Sequence, residues 1–219
     1  MFKWRKMRYE HIIWDFNGTI LDDVETGILS VNKLLHDREL PIIESKEQYR
    51  SVFGFPIKGY YERLGFDFER EPYEVIAPLW VEQYMINVKS ATVFSDARGV
   101  LELFRKKGIS QTLLSATEEK MLRGQLRELG LSEYFDEILG RGDIHAASKE
   151  SIARSWRERH PADKTLLLGD TDHDLQVAKA IGADCALISR GHQSEEYLRS
   201  LGARVYPALG DAVAELCDF

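Results

Sequence analysis

Cysteine is nearly missing from this chain of 219 residues, which holds two, Cys185 and Cys217. Two cysteines without paired spacing make neither a disulfide framework nor a zinc site, and they suit a reduced compartment. Long apolar runs are missing too. No stretch approaches the roughly 20 residues needed to cross a bilayer. The start, MFKWRKMRYE, is basic but has no apolar segment of the kind a secretion signal carries. Positive charge is in deficit: 29 Lys and Arg stand against 36 Asp and Glu, a formal net charge of -7. That balance argues against a nucleic-acid or membrane-surface binder. Internal repeats and low-complexity segments are absent from the sequence. These absences leave a cytoplasmic globular protein. Its 44% hydrophobic content suffices for one sizeable core, or a core with a small insert.

The chain is organised around residues 11–23, HIIWDFNGTILDD. Ile12, Ile13 and Trp14 form a short apolar run that suits a strand covered on both faces. Asp15 ends the run, and the Asn17-Gly18 pair marks a sharp turn. A carboxylate at the carboxyl end of a central parallel strand lies where open α/β sheets place their ligand crevice. Asp15 is therefore the first candidate for a nucleophile or metal ligand.

Downstream, residues 24–40 have helical spacing, with Ile28, Val31, Leu34 and Leu35 on one face and Pro41 as the stop. Residues 44–89 hold no convincing strand. Ser45 is a candidate N-cap, 53–56 a turn, 57–64 a short helix before Gly65, and 72–88 a longer helix that Pro78 should kink or split. From 96 onwards helices alternate with apolar strands at 109–114, 137–139, 165–168, 185–188 and 204–206. This pattern implies βαβ units and a parallel sheet. The break in alternation divides the chain into a core of residues 1–20 and 90–219 and an inserted helical unit of residues 21–89. The strand ends carry polar groups in order: Asp15 with Asn17, Ser115, then Asp170 with Asp174. Lys149 stands near a helix start. Parallel strands bring such ends to one edge.

These motifs resemble those of the haloacid dehalogenase-like superfamily. DFNGT is similar to its first motif, DxDGT, with Asn17 in place of the second Asp. LLSAT around Ser115, ASKES around Lys149 and GDTDHD from Gly169 to Asp174 resemble the second, third and fourth. The resemblance implies a Rossmann-like parallel-sheet core with an inserted helical cap, like that of phosphoglycolate phosphatase and β-phosphoglucomutase. It implies Asp15 as nucleophile, Asn17 in the position of the acid/base, Ser115 on the transferring phosphoryl group and Lys149 as neutralising cation. It places Gly18, Thr19 and Ala116 beside the phosphate, and Gly54 and Lys58 on a cap loop that reaches the substrate. The metal set it implies is Asp15, Asp170, Asp174 and the Asn17 backbone carbonyl.

The residues support this chemistry on their own terms. Asp15, Asp170 and Asp174 form a hard, oxygen-only set suited to Mg²⁺. Three clustered carboxylates would repel without a metal and a cation such as Lys149. Plainer readings stand beside these. Asp170 and Ser115 also suit helix caps, Asp174 and Lys149 a solvated surface, and His173 a solvent-facing loop. Asp22 and Asp23 suit helix-start charges favoured by the dipole, and Phe53, Phe55, Tyr60 and Tyr61 suit cap core. The expected activity is Mg²⁺-dependent hydrolysis of a small phosphorylated metabolite through an aspartyl-phosphate. The alternatives are a catalytically impaired phosphate-ligand binding protein, a haloacid dehalogenase and a phosphomutase. An amide cannot pass a proton to a leaving alkoxide, so Asn17→Asp is expected to raise turnover.

Overall fold

A computed structural model describes residues 8–142, 148–161 and 164–217. The chain runs β1 (His11–Trp14), β2 (Leu21–Asp22), α1 (Val24–His36), α2 (Lys46–Val52), α3 (Ile57–Arg63), α4 (Tyr73–Asn87), β3 (Thr92–Val93) and α5 (Ala97–Lys106). It continues through β4 (Ser110–Glu118), α6 (Glu119–Glu128), β5 (Glu137–Arg141), α7 (Lys149–Arg159), β6 (Thr165–Gly169), α8 (Asp172–Ala180) and β7 (Asp184–Ile188). It closes with α9 (Glu195–Ser200), β8 (Arg204–Tyr206) and α10 (Leu209–Leu216). Six strands form a sheet in the order β5-β4-β1-β6-β7-β8 with every pair parallel. The fold is α/β, as the alternation predicts.

The apolar strands alternate their side chains between two faces. Ile12, Trp14, Leu113, Leu166 and Leu168 pack with Leu101 and Phe104 of α5, Leu122 and Leu126 of α6, and Leu209 and Val213 of α10. Ile13, Leu114 and Leu167 pack on the other face with Ala153 and Trp156 of α7 and Val177 and Ala178 of α8. Two-sided burial explains why these strands read as continuous apolar runs. Trp14 is level with Leu113 on one side and Leu168 on the other, so β1 and β6 end close to the same level while β4 continues beyond it.

The helices α1 to α4 have an apolar cluster of their own. Ile28, Val31, Leu34 and Leu35 of α1 pack there with Tyr49, Tyr60, Tyr61, Phe66 and Ile76. Where the chain leaves and re-enters the core, Leu21 pairs with Val93 and Asp22 with Thr92 in a short antiparallel stem. Two-residue strands carry no readable period, so the sequence leaves this stem invisible.

Several boundaries differ from the sequence reading. α1 stops at His36, ahead of Pro41; Glu39 takes a left-handed φ of 56°, and Leu40 N bonds back to Leu35 O. α4 is not split: it continues through Pro78, which is exposed, as is Glu74, whose carbonyl is the one that Pro78 has no N–H to bond. β4 extends through Ser115 to Glu118 across a register shift. α8 begins at Asp172 because Thr171 and Asp174 form a capping box. Among the described residues, no helix is long and apolar enough to cross a membrane.

Candidate active site and metal centre

Asp15 leaves β1 with its amide still in the ladder, donating to Leu168 O at 2.8 Å. The chain then turns back through Gly18, whose φ of 73° is left-handed. A side chain at Gly18 would stand 2.2 Å from Asp170 Oδ2, and one at Gly191 would stand 2.1 Å from the same atom. Glycine at both positions lets two loops close on the Asp170 carboxylate.

Lys149 is the first residue of α7, fixed there by Ser148, whose hydroxyl accepts from Ser151 N. Its ammonium, 4% exposed as a residue, donates to Asp15 Oδ1 and, at 2.6 Å, to Asp174 Oδ1. Asp174 Oδ2 accepts from Thr171 Oγ1 at 2.7 Å and from Thr171 N at 3.0 Å. Asp170 Oδ2 accepts from His192 N at 2.6 Å. Ligand atoms of Asp15, Asp170 and Asp174 lie within 4.8 Å of one another, and all three residues are buried. The plain alternatives for Lys149 and Asp174 as solvated surface groups are excluded by this burial.

Three carboxylates against one ammonium leave this edge with two excess negative charges. Burial pushes the Asp15 carboxyl up, and the Asp174 charge adds to that; Lys149 opposes both, and the result is about 6. Burial holds Asp170 well above the usual carboxylate range; the charge of His192 opposes this, and those of Asp15 and Asp174 add to it. Burial acts the same way on Asp174, but Lys149 overrides it and lowers the carboxyl. Buried, oxygen-only and over-negative, the set fits a hard divalent cation such as Mg²⁺.

A second polar cluster lies beside the first. Asn17 Nδ2 donates to Asp23 Oδ2 at 2.8 Å and to Tyr84 Oη at 2.6 Å, and its Oδ1 accepts from Thr117 Oγ1 at 3.1 Å. Asp23 also takes Gly18 N on Oδ1 at 2.8 Å, Tyr84 Oη on Oδ2 at 2.7 Å and His192 Nε2 on Oδ1 at 3.2 Å. Burial would raise the Asp23 carboxyl, but the charge of His192 pulls it below its usual value. Burial would lower His192, but Asp23 lifts it to about 9. Tyr49 Oη meets His192 Nδ1 at 2.9 Å, and Arg50 donates to the carbonyls of Gly191 and Arg190 at 2.8 and 2.6 Å. Residues of α2 and α4 thus reach directly onto the sheet edge.

The structure sets the Asn17 side chain in the neighbouring cluster around Asp23, and brings together Asp15, Lys149, Asp170 and Asp174. Thr19 Oγ1 joins them at 3.3 Å from Asp15 and 3.4 Å from Asp170. Ser115 is buried with Oγ accepting from Thr117 N at 3.1 Å, and Ala116 beside it is exposed at the strand end. Gly54 is buried, and a Cβ there would stand 3.3 Å from Arg63 Nη2 and 3.7 Å from Gln193 Nε2 of the loop after β7. Lys58 differs from expectation: it is exposed and its ammonium rests 5.2 Å over the Phe68 ring, not on the carboxylates. The aromatic ring supplies a nearby electron-rich face for the long side chain. His173 is not a free loop residue either, since its ring lies 4.7 Å from Phe55 on the first turn of α8.

Asp23 requires the largest correction. It stands at the N-cap position of α1 yet makes no side-chain cap bond, and it is 1% exposed. The sequence reading also passes over Tyr84, Thr117, Gly191, His192 and Gln193. The one local signal was a Gly-His pair following an apolar strand, the usual place for a ligand-edge loop.

A family model described as haloacid dehalogenase-like hydrolase matches residues 12–188. The phosphoglycolate phosphatase of Aquifex aeolicus (strain VF5) is 28% identical over 187 residues, which cover 83% of this chain and 85% of that protein. That of Pseudomonas savastanoi pv. phaseolicola is 25% identical over 195 residues, 83% of this chain and 70% of the relative. Among solved structures, a haloacid dehalogenase-like family hydrolase from Streptococcus pneumoniae aligns with a TM-score of 0.79 at 17% identity, covering 94% of this chain and 98% of that one. CbbY from Rhodobacter sphaeroides, solved in complex with phosphate, aligns with a TM-score of 0.71 at 20% identity, covering 95% and 99%. At such identities the structural likenesses carry the fold alone. The family match spans most of the chain and takes in Asp15, Lys149, Asp170 and Asp174: this protein belongs to the haloacid dehalogenase-like hydrolases and is phosphoglycolate phosphatase-like within them.

Proposed function

We propose that the protein is a Mg²⁺-dependent phosphohydrolase that cleaves small phosphate monoesters through a phosphoryl group carried on Asp15. The observation that carries this reading is the buried cluster of three carboxylates around one ammonium. Two uncompensated negative charges suit a divalent cation, and phosphoryl transfer needs charge neutralisation and positioning above all. Residues 21–89 act as the cap that covers this edge and excludes water.

Asp15 attacks phosphorus as the ester P–O bond breaks, giving an acyl phosphate and a leaving alkoxide. Water then attacks that phosphorus, which frees phosphate and restores the carboxylate. Lys149 holds Asp15 ionised and aimed. Asp15, Asp170 and the Asn17 carbonyl would hold the cation, with Asp174 behind them, its oxygens occupied by Lys149 and Thr171. When bound, Mg²⁺ supplies neutralisation between the nucleophile and the phosphoryl oxygens. Asn17 supplies no proton, so the alkoxide takes one from solvent.

A second reading, a phosphate-ligand binding protein with little turnover, is favoured by one observation: the amide of Asn17 where proton transfer would be needed. Phosphate release from p-nitrophenyl phosphate and a panel of small phosphorylated metabolites, with Mg²⁺ and with EDTA, separates the two. Mg²⁺-dependent release supports the enzyme. Phosphate or ester binding without release supports the binding protein. Release that is equal in EDTA overturns the metal assignment.

A further inference from the structure

Asp23 is an N-cap residue that does not cap. Asp is favoured at that position because its carboxylate accepts a backbone N–H of the first turn, a gain of typically about 1 kcal/mol. Here the carboxylate turns the other way and accepts four hydrogen bonds, from Gly18 N, Asn17 Nδ2, Tyr84 Oη and His192 Nε2. Those donors come from the turn after β1, from α4 and from the loop after β7. A carboxylate has room for about four such bonds, so Asp23 is filled by them.

The pattern fixes the orientation of Asn17. Its amino group faces two acceptors, Asp23 and Tyr84, and its oxygen faces the Thr117 hydroxyl at the end of β4. Reversing the amide would set its oxygen against a carboxylate and its amino group against a hydroxyl that now donates to it. A carboxylate at position 17, which is half-buried, would meet the buried Asp23 Oδ2 at hydrogen-bond distance with the same charge. The amide at 17 and the carboxylate at 23 are therefore one complementary unit.

We propose that Asp23 is a positioning residue for the phosphoryl-transfer site: it orients Asn17, and through it the turn that carries Asp15, while Tyr84 links that orientation to the seating of the cap. The proposal rests on the phosphohydrolase reading above. It reverses the simplest expectation from sequence, that Asn17→Asp should raise turnover. Alone, that substitution places like charges together; combined with Asp23→Asn, it restores one amide and one carboxylate in reversed places.

The test is a double-mutant cycle with N17D, D23N and N17D/D23N, together with Y84F, assayed on p-nitrophenyl phosphate with Mg²⁺ and unfolded in urea. Each single variant at 17 and 23 should lose about tenfold or more in kcat/KM, and the exchange should return to within about threefold of wild type or above it. Y84F removes one hydroxyl from a folded cap and should lower kcat/KM by about threefold or more through kcat as well as KM. An N17D enzyme as active as wild type, or a double variant no better than the worse single one, overturns the proposal. So does a Y84F enzyme with unchanged kcat and KM. If wild type releases no phosphate from any ester, the phosphohydrolase reading fails by itself. The cycle is then read from urea unfolding, where single-variant losses that simply add would overturn the pairing of 17 with 23.

Discussion

Asp15 and Asp23 lie at the two ends of one turn, both buried, and their surroundings treat the charge in opposite ways. Around Asp15, three carboxylates share one ammonium, and burial pushes Asp15 and Asp170 up. Around Asp23, one carboxylate has one histidine and a full set of donors, and its carboxyl is pulled down. The first cluster is incomplete without a ligand. The second is complete as it stands. Buried charge left unneutralised points to what the site binds; buried charge fully satisfied points to what the site must keep in place.

The largest expected effect separates the clusters by chemistry. Asp15→Ala should reduce phosphate release by about 10³-fold or more, since the attacking atom is gone. EDTA should have a comparable effect on wild type, and Mg²⁺ should raise the melting temperature of wild type through binding to the folded state. A variant at Asp15 that still turns over at the wild-type rate would remove the covalent route.

Stability sharpens the contrast further. Asp23→Asn breaks a buried pair by removing one partner, a loss of about 3–5 kcal/mol in typical cases, readable by urea unfolding. Asp170→Asn, measured without Mg²⁺, should move the other way and raise the melting temperature, because it removes a carboxyl whose charged form is disfavoured first by burial and then by Asp15 and Asp174, against the pull of His192. The same variant should lose the stabilisation that Mg²⁺ gives wild type. Equal signs for the two substitutions in metal-free buffer would erase the distinction between the clusters.

Lys58→Ala should be the mildest change, within about twofold in kcat and KM, because the ammonium sits on Phe68 and leaves at most the roughly 0.5–1 kcal/mol of an exposed cation–π contact. Steady-state kinetics on the best ester checks this. A large rise in KM alone would return Lys58 to the substrate.

Much of the polar sheet edge was legible because its residues follow local rules. Apolar runs ending in Asp15 and Gly169-Asp170 mark strand ends, whereas β4 continues past Ser115 to Glu118; parallel strands carry all these ends to one side. Lys149 was legible as a helix start; that Ser148 caps the helix there is a finding of the structure. Asp23 was legible only as a helix-start acid, since its spacing to α1 says nothing of a carboxylate that turns backward. Lys58 was placed on a cap loop by resemblance, but the direction of a long side chain is set by neighbours such as Phe68, which sequence spacing does not identify. The stem of β2 and β3 and the short helix α9 went unassigned for want of length, and α10 went unassigned although Leu209, Ala212, Val213 and Leu216 keep helical spacing.

The sequence by itself determined the alternation of buried strands and amphipathic helices, the run of helices α1 to α4 between β2 and β3, and the order of the polar groups along the chain. It could do so because side-chain period, glycine, proline and capping residues act over a few neighbours. Tertiary structure alone decided that Tyr84 and His192, 61 and 169 positions from Asp23, meet the same carboxylate. A buried charge accepts whichever donors the packed elements bring to it, and no local pattern records which those are.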